Sequence, residues 1–285
     1  MFKNTPEIGL YEKALPNNLP LKQKLMIAKD IGFDFFEISI DESDDKLSRL
    51  DWDKKSRLAL LDSINETNTP IKTMCLSAHR RFPLGSLDEN ISSRGLEIMQ
   101  KAIQFSVDTG IRIIQLAGYD VYYEEGNEET KQLFIQNLKK SVSMAEKQGV
   151  MLAIEVMDSE FINSIKKAME YVNLIDSPWL NVYPDIGNIS AWGNNFDEDF
   201  ESGKGRITGV HIKETKPGVF RDMTFGEGTV DFVKAFSKLS EIDYQGPYLI
   251  EMWANESPLD DAVQNVKSSL KWVKNKMSKG GIKIC

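Results

Sequence analysis

The chain has 285 residues, 41% hydrophobic and 27% charged, which is typical of a globular protein with a large core. The net charge of −8 argues against nucleic acid or an anionic membrane as partner, and no run of about 18 apolar residues predicts a membrane span. Two cysteines, Cys75 and Cys285, cannot form a disulfide framework and the first residues lack a signal peptide's apolar segment, so we expect a cytoplasmic protein.

Short apolar segments alternate with segments of helical periodicity along the chain. Predicted strands cover 7–11, 35–40, 71–76, 111–116, 150–156, 180–183, 207–213 and 247–252. Predicted helices cover 20–31, 53–68, a segment ending at 108, a segment ending near 149, 163–176, 197–202, 230–240 and a last segment with apolar residues from 259 to 273. The long connections at 77–86, 117–127 and 187–195 are predicted as loops.

Eight strands that alternate with eight helices predict a parallel sheet closed into a (β/α)₈ TIM barrel. We expect one domain over residues 1–285, with a loose tail at 278–285. A doubly wound open sheet is the rival fold, but no Gly-x-Gly-x-x-Gly follows the first strand.

Four consecutive predicted strands each end in a potential metal ligand. Glu155, Asp185 and Glu251 stand at the ends of strands five, six and eight, and His211 stands near the end of strand seven. Catalytic groups of TIM barrels lie at the C-terminal ends of the strands. A single such carboxylate is usually a helix cap or an ion-pair partner, whereas four at equivalent places predict a site for Mn²⁺, Mg²⁺, Co²⁺ or Zn²⁺.

Basic residues follow several strands at the same predicted end of the barrel. A solvated basic loop is one interpretation, and an anionic substrate group is the other, since guanidinium groups bind phosphate well. The sequence leaves open which of them holds the anion. The candidates are His79, Arg80 and Arg81 after strand three, Lys13 after strand one, and Lys213 and Lys216 after strand seven.

Two polar residues, Glu37 and Gln115, lie inside predicted strands. Polar groups in a barrel interior need partners, so each is expected to bond either the substrate or the ligand residues. Trp192 and Trp253 follow strands six and eight, where they either pack at the rim or stack against a sugar.

The chain resembles the xylose isomerase-like barrel superfamily, and more closely the L-ribulose-5-phosphate/L-xylulose-5-phosphate 3-epimerases of bacterial L-ascorbate and pentose catabolism. The resemblance covers essentially the whole chain. The motifs that carry it are GLYEKALP (9–16), MCLSAHRRFPLGS (74–86), IQLAGYDVYY (114–123), YPDIGNISAW (183–192), HIKETKPGVF (211–220), FGEG (225–228) and GPYLIEMW (246–253).

The resemblance implies a metal-dependent epimerisation at C3 of a ketopentose 5-phosphate, with Glu155, Asp185, His211 and Glu251 as the metal ligands. Our hypothesis for the chemistry is a two-base proton transfer in which Glu155 and Glu251, on strands five and eight, flank the substrate. Asn188 stands where related epimerases of unphosphorylated ketohexoses commonly have a histidine. This difference favours a phosphorylated substrate and makes Asn188 a candidate substrate contact.

Alternatives remain open at this stage. An aldose–ketose isomerase or another ketose 3-epimerase would use the same scaffold, and a sugar-phosphate-binding protein without catalysis would use the same ligands. The expected partner is a small sugar phosphate. The oligomeric state is left open, with a homodimer as one option.

Overall fold

A computed structural model describes residues 5–284, which form eight strands and ten α-helices. The strands are β1 (Ile8–Tyr11), β2 (Phe35–Ile40), β3 (Ile71–Leu76), β4 (Ile113–Ala117), β5 (Met151–Glu155), β6 (Leu180–Tyr183), β7 (Val210–Ile212) and β8 (Tyr248–Ile250). The helices are α1 (Leu21–Ile31), α2 (Asp44–Ser48), α3 (Lys54–Thr67), α4 (Glu89–Thr109), α5 (Glu128–Gln148), α6 (Ile165–Ile175), α7 (Ile186–Ala191), α8 (Phe196–Ser202), α9 (Phe232–Glu241) and α10 (Leu259–Lys279).

All the strands run parallel, in the order β6-β5-β4-β3-β2-β1-β8-β7. Isolated parallel bridges connect the two ends of this sheet, pairing Val182 with Ile207 and Asp185 with His211. The main-chain N–H of His211 donates to the carbonyl of Pro184 at 2.8 Å across the same gap. The sheet is therefore a nearly closed barrel, and the predicted single-domain TIM barrel is confirmed.

Strand alternation separates two layers. In β2, Phe36, Ile38 and Ile40 belong to the large apolar core between the sheet and the helices. The alternate residues Glu37 and Ser39 bond across the barrel interior instead. The interior itself contains only a small apolar cluster among the described residues, formed by Tyr11, Phe35, Cys75 and Leu249 with Trp253 packed against it. Polar side chains such as Glu37 and Ser39 therefore occupy interior positions of the barrel, where they can take part in a reactive site.

Most predicted element positions are confirmed within a few residues. Asp53 accepts the N–H of Ser56 and caps α3, and Gly32 ends α1 with the positive φ of 103° that glycine adopts without strain. Eight helices were predicted, whereas residues 5–284 form ten α-helices, because α2 and α7 were not predicted.

The predicted loop 187–195 is wrong over its first half. It forms α7, because Asp185 caps that short helix through the N–H of Asn188. Strand β7 is also shorter than the predicted 207–213.

The C-terminal segment continues α10 through Lys279, and Gly280 is buried beside Phe236. Ile282 and Ile284 are partly buried against the core, and Cys285 lies outside the described residues. Looseness of the tail 278–285 stays a prediction. Within residues 5–284, no helix has both the length and the apolar character needed to cross a membrane.

Candidate active site

The four predicted metal ligands converge at one end of the barrel. Glu155, Asp185, His211 and Glu251 each offer one ligand atom, and these atoms all lie within 4.8 Å of one another. All four residues are buried. We refer to them as the four-residue cluster. Glu155 ends β5, His211 lies in β7 and Glu251 directly follows β8, so the C-terminal ends of neighbouring parallel strands build the cluster.

Helix α7 fixes the orientation of Asp185. This residue precedes the helix, and its Oδ1 accepts a hydrogen bond from the main-chain N–H of Asn188 at 3.0 Å. The Nδ2 of Asn188 in turn donates to the carbonyl of Val156 at 2.8 Å, which ties α7 to the end of β5. Because Oδ1 serves as the helix cap, Oδ2 is the oxygen that remains for the cluster.

The ring of His211 is held among three carboxylates. Its Nδ1 lies 2.9 Å from Oε1 of Glu155 and 3.5 Å from Oε2 of Glu251. Its Nε2 lies 2.9 Å from Oε1 of Glu37 on β2. When the ring is neutral, Nε2–H can donate to Glu37, and the Nδ1 lone pair is then directed at the cluster. Nδ1 is therefore the nitrogen that would bind a metal.

Glu37 and Gln115 both contact the ligand residues. Besides His211, Glu37 accepts hydrogen bonds at Oε2 from Thr73 at 2.7 Å and from Tyr183 at 3.4 Å. Gln115 donates through Nε2 to Oε2 of Glu155. The sequence leaves two roles open for Glu37 and Gln115, a contact with the substrate or a contact with the predicted metal ligands. These hydrogen bonds favour the second role.

A glycine makes room for one of these contacts. A Cβ atom at Gly209 would lie 2.4 Å from the ring of Tyr183. Glycine at position 209 therefore leaves the space that the ring of Tyr183 needs to reach Glu37. In this position the Tyr183 ring also packs edge-on against the His211 ring, with 4.8 Å between the two ring centres.

The cluster carries more negative than positive charge. Burial raises the pKa of Glu155 and raises that of Asp185 to about 7. Burial also raises the pKa of Glu251, but the charges of Lys213 and His211 outweigh it and bring this pKa to about 2. The Lys213 ammonium lies 2.7 Å from Oδ2 of Asp185 and 3.4 Å from Oε2 of Glu251.

The donor set fits a divalent cation. Within residues 5–284, neither Oδ2 of Asp185 nor Oε2 of Glu251 accepts a hydrogen bond of good geometry, although both atoms are buried. Buried carboxylate oxygens need a hydrogen bond, a charge partner or a metal. Three carboxylates and one imidazole suit Mn²⁺, Mg²⁺, Co²⁺ or Zn²⁺.

The cluster opens into a cavity of about 80 Å³ at the mouth of the barrel. Glu155 and Glu251 line it together with neutral and apolar groups that include Tyr11 and Trp253. The predicted substrate-binding residues that also line it are Lys13, Arg80, Asn188 and Lys213. These side chains come from the segments that follow β1, β3, β6 and β7, with Asn188 on α7, so the structure brings four of the candidates together.

The other three basic candidates have different surroundings. His79 is buried, its Nε2 lies 3.1 Å from the carbonyl of Gly95 on α4, and burial lowers its pKa to about 4. Arg81 is exposed and pairs with Asp44 at 2.8 Å. Lys216 is exposed on the loop after β7. The geometry therefore separates Arg80 from its neighbours in the sequence.

Sequence reasoning missed an ion pair at the cavity mouth. Arg221, in the loop after β7, lies 2.8 Å from Asp158, in the loop after β5, and both line the cavity. Arg221 also approaches the hydroxyl of Tyr122 at 3.5 Å, and Arg80 lies 4.8 Å over the ring of that tyrosine. The sequence places Arg221 and Asp158 after strands at the C-terminal end of the barrel, but their pairing depends on the loop geometry.

Comparisons with known proteins agree with this geometry. A family model described as xylose isomerase-like TIM barrel matches residues 25–276. The L-ribulose-5-phosphate 3-epimerase UlaE of Escherichia coli (strain SMS-3-5 / SECEC) is 52% identical over 282 residues, which cover 99% of each chain.

Solved structures share the fold. A structure of L-ribulose 3-epimerase superposes with a TM-score of 0.80 at 18% identity, covering 97% of this chain and 96% of the other. A D-psicose 3-epimerase crystallised in the presence of D-fructose gives a TM-score of 0.81 at 12% identity, covering 95% and 99%. The chain thus belongs to the xylose isomerase-like TIM barrel family, as a relative of the L-ribulose-5-phosphate 3-epimerase UlaE.

Proposed function

We propose that this protein is a metal-dependent 3-epimerase that interconverts L-ribulose 5-phosphate and L-xylulose 5-phosphate. The observation that carries the proposal is the buried four-residue cluster, in which two glutamates approach Nδ1 of one histidine, in a chain 52% identical to an L-ribulose-5-phosphate 3-epimerase. We infer the substrate class from the name of this relative, and we infer the reaction chemistry from the residues of the cluster.

Glu155, Asp185, His211 and Glu251 would hold one divalent ion. When bound, such an ion acts as a Lewis acid that polarises the C2 carbonyl and stabilises negative charge as the C3 proton leaves. The donor set accommodates Mn²⁺, Mg²⁺, Co²⁺ or Zn²⁺.

Inversion at C3 needs a proton acceptor on one face of the substrate and a proton donor on the other. Glu155 on β5 and Glu251 after β8 lie on either side of β6 and β7, and both line the cavity. One glutamate removes the C3 proton and the other returns a proton to the opposite face. The two roles exchange in the reverse reaction.

Local polar contacts keep the two glutamates in place. Gln115 and His211 contact the two oxygens of Glu155, so its position is fixed from both sides. Glu251 has Lys213 and His211 as its neighbours.

The phosphate end of the substrate would meet the basic groups at the cavity mouth. Three cationic side chains line the cavity there: Arg80, Arg221 and Lys13. Arg221 pairs with Asp158 and Lys13 pairs with Asp41, whereas Arg80 has no ion-pair partner within 4 Å among the described residues. The Nε of Arg80 is buried without a hydrogen-bond partner among the described residues. A phosphate oxygen would satisfy this donor.

The family resemblance extends the proposal to the protein's setting. We infer a cytoplasmic enzyme of L-ascorbate and pentose degradation.

The test is NMR of each L-ketopentose 5-phosphate with the Mg²⁺-loaded protein in D₂O. The product should carry deuterium at C3 from its first appearance, because the returning proton comes from a second, solvent-equilibrated group, while C1 keeps its hydrogens. Deuterium at C1 would indicate an aldose–ketose isomerase. Binding of the sugar phosphate without any exchange would indicate a binding protein and would overturn the proposal.

A further inference from the structure

Lys213 holds an unusual place for a lysine. It is buried on the strand segment that carries His211, two residues further along. Its ammonium lies 2.7 Å from Oδ2 of Asp185 and 3.4 Å from Oε2 of Glu251. Neither contact has the geometry of a good hydrogen bond. The contacts are therefore electrostatic.

The two oxygens next to Lys213 are the same two that the cluster would offer to a metal. Oδ1 of Asp185 caps α7, so Oδ2 is the oxygen free to bind an ion. Oε2 of Glu251 faces Nδ1 of His211 at 3.5 Å and is likewise a cluster atom. A divalent ion and the ammonium therefore draw on one pair of oxygens, and at such short range in a buried site two cations repel each other strongly.

We propose that the Lys213 ammonium competes with the divalent ion for Asp185 and Glu251 and thereby sets the metal affinity of the four-residue cluster. This inference rests on the proposed function in one respect, since it requires the cluster to bind a divalent ion.

The surroundings give the ammonium a second place to lie. Lys213 lines both the cavity above the cluster and a neighbouring cleft of about 220 Å³, formed by the loops after β7 and β8 and by α10. Its ammonium lies 5.8 Å from the centre of the Trp253 ring, within reach of a cation–π contact. The flexible four-carbon stem of lysine allows a move toward that ring when a metal takes the two oxygens.

The experiment measures Mn²⁺ affinity without substrate. Purified full-length protein is stripped with EDTA, dialysed and titrated with Mn²⁺, and free Mn²⁺ is read by electron paramagnetic resonance. We expect Lys213→Met and Lys213→Gln to lower the Kd at least tenfold, because both remove the competing charge. Lys213→Arg should stay within about threefold of the wild type, since it keeps the charge. The matched control Lys204→Met removes one exposed lysine charge far from the cluster and should leave the Kd unchanged.

The direction of the change separates competition from a structural role. Loss of structural support would weaken Mn²⁺ binding, whereas loss of a competing cation tightens it. An unchanged or higher Kd in Lys213→Met and Lys213→Gln would overturn this inference and leave the proposed function intact. If the wild type bound none of Mn²⁺, Mg²⁺, Co²⁺ and Zn²⁺, that result would overturn both the metal dependence in the proposed function and this inference.

A second measurement covers the case of a poorly folded variant. Ligands that bind only the folded state raise the melting temperature in proportion to the logarithm of their affinity. The rise in Tm between EDTA and a fixed excess of Mn²⁺ should be larger for Lys213→Gln than for the wild type. An equal or smaller rise would contradict the proposal.

Discussion

Oε1 of Glu37 lies 2.9 Å from Nε2 of His211, although the two residues are 174 positions apart in the sequence and belong to strands β2 and β7. The contact crosses the barrel interior. In the neutral ring it favours a proton on Nε2, while Nδ1 faces Glu155 and Glu251. A carboxylate on one side of the barrel thus prepares a ligand on the other.

Substitution of Glu37 by glutamine should weaken metal binding without removing any ligand. The amide keeps the shape of the side chain but loses the charge that favours a proton on Nε2, and such changes typically cost about 10- to 100-fold in metal affinity. Mn²⁺ titration of Glu37→Gln checks this, with the exposed Glu7→Gln as the control. An unchanged Mn²⁺ affinity would show that Glu37 does not orient His211.

Removal of the metal should abolish activity, because the C2 carbonyl then lacks its Lewis acid. We expect EDTA treatment to stop epimerisation and added Mn²⁺, Co²⁺, Mg²⁺ or Zn²⁺ to restore it. His211→Ala should bind the metal more weakly and should need a higher metal concentration for the same rate. Coupled assays of both epimers before and after metal addition provide the measurement. Full activity in the stripped protein would exclude the proposed mechanism.

The convergence of the four-residue cluster was predictable because its members obey a local rule. Glu155, Asp185, His211 and Glu251 each stand at the end of an apolar strand-like segment, and parallel strands bring such ends together. Periodicity likewise identifies the strands and long helices, since the apolar face of each must be buried.

Contacts between distant loops were not predictable in the same way. The partner of Arg221 is Asp158, 63 residues earlier, and only the loop geometry brings them together. The burial of His79 depends on α4 passing over its ring, which no pattern around His79 records. Helix α7 was missed because it has six residues, too few for a clear periodic signal.

Arg80 and Arg81 should differ in their effect on substrate binding, although they are neighbours in the sequence. Arg80→Ala should raise KM for the 5-phosphate far more than for the free ketopentose, because it removes a charge-assisted hydrogen bond worth about 1.5–3 kcal/mol. Arg81→Ala should change KM little, since its guanidinium is exposed and paired with Asp44. Steady-state kinetics on both sugars test this. Equal effects of Arg80→Ala on the two sugars would assign Arg80 a structural role.

A buried ion cluster beside β1 should make stability depend on acid. Glu12 is fully buried and contacts Arg49 at 2.7 and 2.9 Å, with Lys46 and Lys24 also beside it. Burial raises the pKa of Glu12, but the charges of Arg49, Lys46 and Lys24 outweigh it and bring this pKa from 4.5 to about 2. Glu12→Gln should destabilise the fold by about 3–5 kcal/mol at neutral pH, because it leaves the buried cations unpaired.

The sign of the pH effect follows from the lowered pKa of Glu12. Its stabilising contribution is complete above pH 4.5 and is lost as the pH falls toward 2. The difference in unfolding free energy between the wild type and Glu12→Gln should therefore be constant at pH 6 and 7 and shrink below 4.5. Urea unfolding at several pH values measures it. The surface pair Lys22–Glu66 supplies the control, since Glu66→Gln should cost less than about 1 kcal/mol. A pH-independent difference would contradict the assignment.

The two glutamates should fail in different ways when each is replaced by glutamine. Glu155→Gln and Glu251→Gln should both stop net epimerisation, because inversion needs a group on each face of C3. Each amide keeps a carbonyl oxygen that can still contact a metal, so activity should fall further than metal affinity. The remaining glutamate in each variant can still exchange the C3 proton of the epimer whose proton faces it. In D₂O, we expect residual exchange at C3 in one epimer for Glu155→Gln and in the other epimer for Glu251→Gln, as read by NMR. A variant of either glutamate that epimerises at the wild-type rate would rule out the two-base assignment.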